Sequence, residues 1–334
     1  MWRDIRNLLC VRLDNLGDVL MTTPAIRAFR DTLGCRVTLL SSTASLEGMV
    51  PEVDEFLVFR APWMKATSGQ SGDLQLMEKL KGFDAAVIFT VYSQSPLPAA
   101  YLCYLAGIRL RLAHCRENPY RLLTDWVPDP EPERMVRHEV RRQLDLAAAV
   151  GCRTSNEHLS FRVPDAARGA IESMNLKKPL VVVHPGATAA SRRYPPESYA
   201  SALDMLGCEV VFTGDASEVE LVQALRARLA VPSRSLAGRL GLAELGALIE
   251  AADLLICNNT GPAHIAAAVG TPVVDLYALT NPQHTPWLVE SRVLFHDVPC
   301  RNCYKSVCPA GHHDCLRGVA PERVAAAARE LLAA

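Results

Sequence analysis

Residues 254–282 read LLICNNTGPAHIAAAVGTPVVDLYALTNP. The apolar run Leu254–Cys257 stops at Asn258, Asn259, Thr260 and Gly261, and Pro262 stands at a typical first helical position. Small apolar residues then keep helical spacing to Val269, and a second apolar run follows at Val273–Leu276. Short runs without polar alternation predict strands buried on both faces, which parallel sheets require. The stretch therefore predicts a strand, a crossover helix and a second parallel strand, the repeating unit of an α/β protein.

The same alternation extends in both directions. Asn7–Leu13, Val37–Leu40, Ala85–Phe89, Leu180–His184 and Glu209–Thr213 read as further buried strands. Gly17–Leu33, Pro196–Leu206, Ala216–Leu229 and Gly241–Ala252 read as crossover helices. The run PDPEPE at 128–133 suits neither a central strand nor a helix interior, and a polar-faced helix follows at Arg137–Val150. These shifts predict an amino-terminal domain over 1–163, a linker over 164–178 and a carboxy-terminal domain over 179–334. The latter carries a Cys-rich segment at 300–315 and a final helix at 321–333. The expected architecture is two Rossmann-like, doubly wound domains facing across a cleft, with ligands at the carboxyl ends of the strands.

Composition narrows the function. Of 334 residues, 49% are hydrophobic and 21% charged, which excludes a disordered chain. The net charge of −1 leaves no chain-wide positive field, so nucleic acid is excluded as a partner and membrane contact is at most peripheral. Charges interrupt Met1–Asp18 and leave no signal-peptide core, so a cytoplasmic protein is expected. Of eleven cysteines, the singles up to Cys257 read as small buried apolar residues, while Cys300, Cys303, Cys308 and Cys315 crowd together.

Three strand exits carry polar residues. After the first strand, Gly17 permits close backbone approach and Asp18 falls in the first helical turn, where it reads either as a helix cap or as a general base. After Leu180–His184 come Thr188, Ser191, Arg192 and Arg193, two hydroxyls and two guanidinium forks before a Pro-initiated helix, suited to a pyrophosphate or simply solvated. At the third exit, Asn259, Thr260 and Gly261 open a helix whose free N–H groups favour an anion, with His264 one turn in, as catalyst or as core histidine. Neither GxGxxG nor GxxxxGK[ST] is present.

Together these segments resemble glycosyltransferase family nine, the ADP-heptose heptosyltransferases of the GT-B fold. The resemblance rests on Leu16-Gly17-Asp18 with Thr22-Thr23-Pro24-Ala25, on His184-Pro185-Gly186-Ala187 with Arg192-Arg193-Tyr194-Pro195-Pro196-Glu197, and on Thr260-Gly261-Pro262 with His264 and Gly270-Thr271-Pro272-Val273. It implies inverting transfer of a sugar, heptose first, from an ADP-sugar to an acceptor hydroxyl on lipopolysaccharide core, protein or a natural product. Asp18 would be the base, and Gly17 would lie against the donor. Arg192 stands at the family's diphosphate-binding Lys, and Glu218 matches a position that holds ribose hydroxyls. Ser235–Gly238 with Leu240 would flank the nucleotide's base, and the helix opening at Gly261 would stabilise the leaving group without a catalytic metal. Asn259 stands where the family commonly has an Asp that contacts sugar hydroxyls.

The spacing CxxC-x4-C-x6-C suits a structural Zn or Fe ion held by Cys300, Cys303, Cys308 and Cys315, and equally free thiols or a redox pair. The resemblance adds that in the family's autotransporter-modifying branch a comparable cysteine group holds iron. Four protein ligands leave no open coordination position, so an ion here would be structural, and the segment could also build an oligomer interface. On the acceptor side, Arg109, Arg111, Arg116 and Arg121 either meet a phosphorylated saccharide or form a solvated face, and Trp63–Gly72 reads as a loop that orders over the acceptor. Two other functions fit the same chain: a nucleotide-sugar epimerase or hydrolase, and a non-catalytic nucleotide-sugar-binding subunit.

Overall fold

A computed structural model describes residues 2–64 and 73–334 and divides the chain into two units, Met1–Arg162 and Val163–Ala334. The first runs β1 (Asn7–Arg12), α1 (Leu16–Leu33), β2 (Arg36–Ser41), β3 (Glu55–Val58), α2 (Asp73–Lys79), β4 (Ala85–Ile88), α3 (Leu97–Leu105), β5 (Leu110–Cys115), β6 (Asp125–Pro128) and α4 (Glu139–Ala149). The second runs α5 (Asp165–Glu172), β7 (Val181–His184), α6 (Pro196–Leu206), β8 (Val210–Phe212), α7 (Val219–Arg226), β9 (Ser233–Ser235), α8 (Leu242–Ala251), β10 (Leu254–Asn258), α9 (Gly261–Val269), β11 (Val273–Leu276), β12 (Ser291–Leu294), α10 (Asp314–Arg317) and α11 (Pro321–Ala333).

Each unit holds a six-stranded sheet, ordered β3-β2-β1-β4-β5-β6 and β12-β11-β10-β7-β8-β9. Among the described residues every strand pair is parallel, and the second order, read backwards, repeats the 3-2-1-4-5-6 pattern of the first. The order reverses between β1 and β4 in one unit and between β7 and β10 in the other, so the loops leaving those strands diverge and leave room for a ligand. Leu9, Val11, Leu40, Ile88 and Ala113 form one core, and Val181, Val183, Phe212, Leu254, Ile256 and Val274 the other, closed by Leu203 of α6 and Leu331 of α11. The α1 helix stops where Gly34 takes φ +60°, and its N–H caps the Arg30 carbonyl.

The seven predicted strands are present, and five others were not apparent in the sequence. β3, β6, β9 and β12 carry polar residues because they lie at or next to sheet edges, while Arg111 and His114 mask the interior strand β5. The helix after PDPEPE is polar on its inner face as well, for Glu139, Arg142 and Gln143 are buried. The segment 164–178 carries α5, which packs on α8 within the second unit. Residues 65–72 of the expected acceptor loop lie outside the described residues. Among the described residues no helix is long and apolar enough to cross a membrane.

Candidate active site

In the first unit the loop leaving β1 gathers carboxylates around one guanidinium. Asp18 lies in the first turn of α1, and its Oδ2 accepts from the Asn15 N–H at 3.2 Å, so it does cap the helix. Its Oδ1 also lies 3.4 Å from Arg12 Nη2, a pairing that no helix cap requires. Arg12 is wholly buried, with Nε 3.0 Å from Asp14 and Nη2 2.9 Å from Glu139. Burial pushes the Asp14 carboxyl up to about 6, against the pull of Arg12, and Gln94 donates to its other oxygen. Gly17 is buried beside Asp18.

The expected basic stretch resolves into separate roles. Arg111 is buried, stacks on Tyr104 at 5.4 Å and donates to the carbonyls of Leu122 (2.7 Å) and Arg121 (2.9 Å). It holds its own loop and presents no charge to a ligand. Arg116 stacks on Tyr92 at 5.5 Å, beyond the end of β4.

In the second unit the exits of β7, β8 and β10 meet. Asn258, wholly buried at the end of β10, donates to the Pro185 carbonyl at 2.7 Å and accepts from the Tyr194 N–H at 3.0 Å, so its amide sets the path of the His184–Tyr194 loop. Burial holds the His184 ring neutral, pushed down to about 4; its Nδ1 meets Thr213 Oγ1 at 3.0 Å and its Nε2 lies 3.6 Å from Glu218. Glu218 is buried, which raises its carboxyl, and its Oε2 accepts from the Asp215 N–H at 3.0 Å. The Glu218 carboxylate occupies the space a side chain at position 186 would need: a Cβ on Gly186 would lie 1.8 Å from Oε1. This explains glycine in the HPGA turn.

Arg192 is half-buried, and among the described residues its buried Nε has no hydrogen-bond partner. Such a fork suits an anionic ligand. Arg193 is exposed and turns back to the Ala187 carbonyl at 2.7 Å; Thr188 is exposed beside it. Ser191 is committed elsewhere, since its hydroxyl donates to the Ser306 carbonyl at 2.6 Å and ties this loop to the Cys-rich segment.

Thr260 is the N-cap of α9, with its hydroxyl donating to the Asn258 carbonyl at 3.2 Å, and Gly261 opens the helix half-buried. Asn259 turns inward, donating to Asp275 at 3.1 Å and to the His284 carbonyl at 2.7 Å. Asp275 is wholly buried and its carboxyl is pushed up to about 7. His264 is buried in the first turn of α9. Leu236 and Ala237 of the expected base-flanking segment are also buried.

The four clustered cysteines lie close together, and after burial Cys308, Cys300 and Cys303 all add to the rise of the Cys315 thiol. They line one small cavity with His312 and His313, yet no three His, Cys, Asp or Glu groups among the described residues form an ion-holding set. Each sulfur has its own surroundings. The N–H groups of His313, Ala310, Gly311 and His312 favour the Cys308 thiolate, burial raises Cys315, and exposed Cys300 lies 3.6 Å from His312 Nε2. As placed, the four thiols share a cavity without forming such a set, so the expected ion rests on their spacing alone.

Sequence reasoning missed Arg12, Glu139 and Asn258 as parts of these sites. The one available signal was a charged residue inside an apolar strand, at Arg12.

A model of the family described as "Glycosyltransferase family 9 (heptosyltransferase)" matches residues 75–313. The chain is 30% identical over 289 residues to lipopolysaccharide core heptosyltransferase OpsX of Haemophilus influenzae, covering 84% of this chain and 81% of that one. It is 25% identical over 332 residues to lipopolysaccharide heptosyltransferase 2 of Escherichia coli strain K12, covering 92% and 93%. The solved structure of a family 9 glycosyl transferase from Veillonella parvula DSM 2008 superposes with a TM-score of 0.81 at 22% identity, over 100% of this chain and 99% of the other.

Proposed function

The chain belongs to glycosyltransferase family 9, a family of GT-B glycosyltransferases, and from that premise we propose that it transfers heptose with inversion from ADP-heptose to a hydroxyl of lipopolysaccharide core. In this reading Asp18 takes the proton of the acceptor hydroxyl as its oxygen bonds to the anomeric carbon. The anomeric C–O bond to the diphosphate breaks at the same time, and its electron pair leaves with ADP. A positioned base of this kind contributes about 10²–10⁴-fold.

On the donor side, Arg192 and the N-terminus of α9 would meet the diphosphate, and their positive potential offsets the charge that develops on it, so the proposal includes no catalytic metal. Glu218 would accept from the ribose hydroxyls, and Leu236 and Ala237 would lie against the base. Thr188 and Arg193 would remain available at the loop's surface, whereas Asn259 and Ser191 would act by holding the loops. The setting is the cytoplasm, with at most peripheral membrane contact. OpsX and heptosyltransferase 2, named for lipopolysaccharide, support the acceptor.

The observation that carries this reading is the Asp18 carboxylate at the switch point of the first sheet, 3.4 Å from a buried guanidinium. Asp18→Ala is expected to leave ADP binding intact by calorimetry and to abolish ADP release from ADP-heptose in the presence of heptose-free lipopolysaccharide core. Turnover within tenfold of the parent enzyme would remove Asp18 from the role of base.

A further inference from the structure

Arg12 is an arginine at the end of a buried strand, with no exposed surface, and its guanidinium joins two elements distant in sequence. Nη2 lies 2.9 Å from Glu139 Oε1, in the first turn of α4, and 3.4 Å from Asp18 Oδ1, in the first turn of α1. Glu139 is itself wholly buried and held in place: Gln143 Nε2, one turn further along α4, donates to the same Oε1 at 2.7 Å and to the Thr90 carbonyl at 3.1 Å beyond β4.

Cohesion alone does not explain this arrangement. Taking a guanidinium and a carboxylate out of water costs several kcal/mol per ion, and apolar residues of equal volume commonly hold two elements together at least as well. An apolar pair cannot place a charged N–H donor beside the Asp18 carboxylate. From this geometry we propose that Glu139 is a positioning residue, which fixes the Arg12 guanidinium so that Nη2 faces Asp18 and keeps it a carboxylate aimed from the first turn of α1. The proposal rests on the reading of Asp18 as the base.

Among the described residues, further charged and polar groups lie around the pair. Asp14 follows β1 and lies 3.0 Å from Arg12 Nε, and Gln94 donates to it. From α4, Arg142 lies 4.0 Å from Glu139 and donates to Asp129 at 2.8 Å. His114 of β5 contacts the Arg142 carbonyl at 3.1 Å and is held neutral by burial, pushed down to about 4. Glu139→Gln thus removes one negative charge from the surroundings of Arg12 and Asp18 while keeping a carbonyl oxygen that accepts from Nη2. Arg12→Gln removes the cation. Electrostatics requires the two substitutions to move Asp18 in opposite directions.

The test is direct titration of the full chain labelled with ¹³C at the aspartate side-chain carboxyls, with the Asp18 signal assigned by its loss in Asp18→Asn. Glu139→Gln is expected to lower the Asp18 midpoint by about half to one pH unit, and Arg12→Gln to raise it by about one or more. Unfolding curves identify any variant that has lost its fold, and the Glu139→Gln and Glu139→Ala pair suffices if Arg12→Gln does not fold. Glu139→Ala removes the same charge and the acceptor as well, so its Asp18 midpoint is expected to lie above that of Glu139→Gln. Equal midpoints in the two folded variants overturn the proposal, because a carboxylate acting through its charge alone would make them equal. The measurement needs no substrate, so its failure is distinct from that of the base assignment, which falls if Asp18→Ala keeps its turnover.

Discussion

Replacing Gly186 with alanine adds one methyl group at a place where the structure has no room. The new Cβ would lie 1.8 Å from Glu218 Oε1 and 2.0 Å from its Cδ, while ordinary contact begins at 3.4 Å. The carboxylate must retreat by the difference between 1.8 and 3.4 Å, more than a hydrogen bond tolerates. Gly186 is absent from the positive-φ glycines, so alanine strains no backbone there and the effect is steric. Displacement breaks the 3.0 Å bond from the Asp215 N–H and removes Glu218 from the ribose it is proposed to hold. Hydrogen bonds to a charged group are worth about 1.5–3 kcal/mol, which corresponds to about a 10- to 150-fold weaker dissociation constant for ADP. Isothermal calorimetry with ADP measures it, in Gly186→Ala, Glu218→Ala and the double variant. Because both substitutions act through one carboxylate, the double variant is expected to bind no more weakly than Glu218→Ala. A folded Gly186→Ala that binds ADP as tightly as the parent refutes the reasoning.

Asp275 predicts a pH dependence. Its carboxyl is pushed from 3.8 up to about 7 by burial, so the folded chain holds this proton more tightly than the unfolded chain does. Stability is unaffected below about pH 4 and falls as pH rises towards 7, by a few kcal/mol in order of magnitude. Asp275→Asn keeps an acceptor for Asn259 and is expected to remove that part of the slope, which denaturant unfolding between pH 4 and 8 measures; an unchanged slope contradicts the assignment. Asn258→Ala leaves the Tyr194 N–H and the Pro185 carbonyl without their partner and is expected to cost about 2–4 kcal/mol of stability, measured by urea unfolding, and to weaken ADP binding. Stability within about 0.5 kcal/mol of the parent shows that the loop does not depend on it.

The βα alternation was legible because burial on both faces imposes apolar runs, and the site turns because they sit where those runs stop. Asp18, Arg192, Glu218, Thr260 and Gly261 all lie at exits that local pattern marks. The strands that escaped notice are those relieved of that constraint, at the sheet edges, or interrupted by a buried charge whose partner is remote, as at Arg111. The cysteine spacing suggested an ion site, and the fold brings all four to one cavity, but spacing along the chain does not fix where sulfurs point: those of Cys300, Cys308 and Cys315 differ in exposure and contacts.

By itself the sequence determined the class of the fold and where its strands give way to polar turns, since both follow from interactions within a few residues. Only the tertiary structure decided what those turns are held by. The 3-2-1-4-5-6 order places β1 beside β4, and 127 residues separate Arg12 from the Glu139 that holds it. Likewise 64 residues separate Asn258 from the Tyr194 N–H it receives. A buried polar group must be paired wherever the chain supplies a partner, and no periodicity along the sequence records which partner the fold will bring.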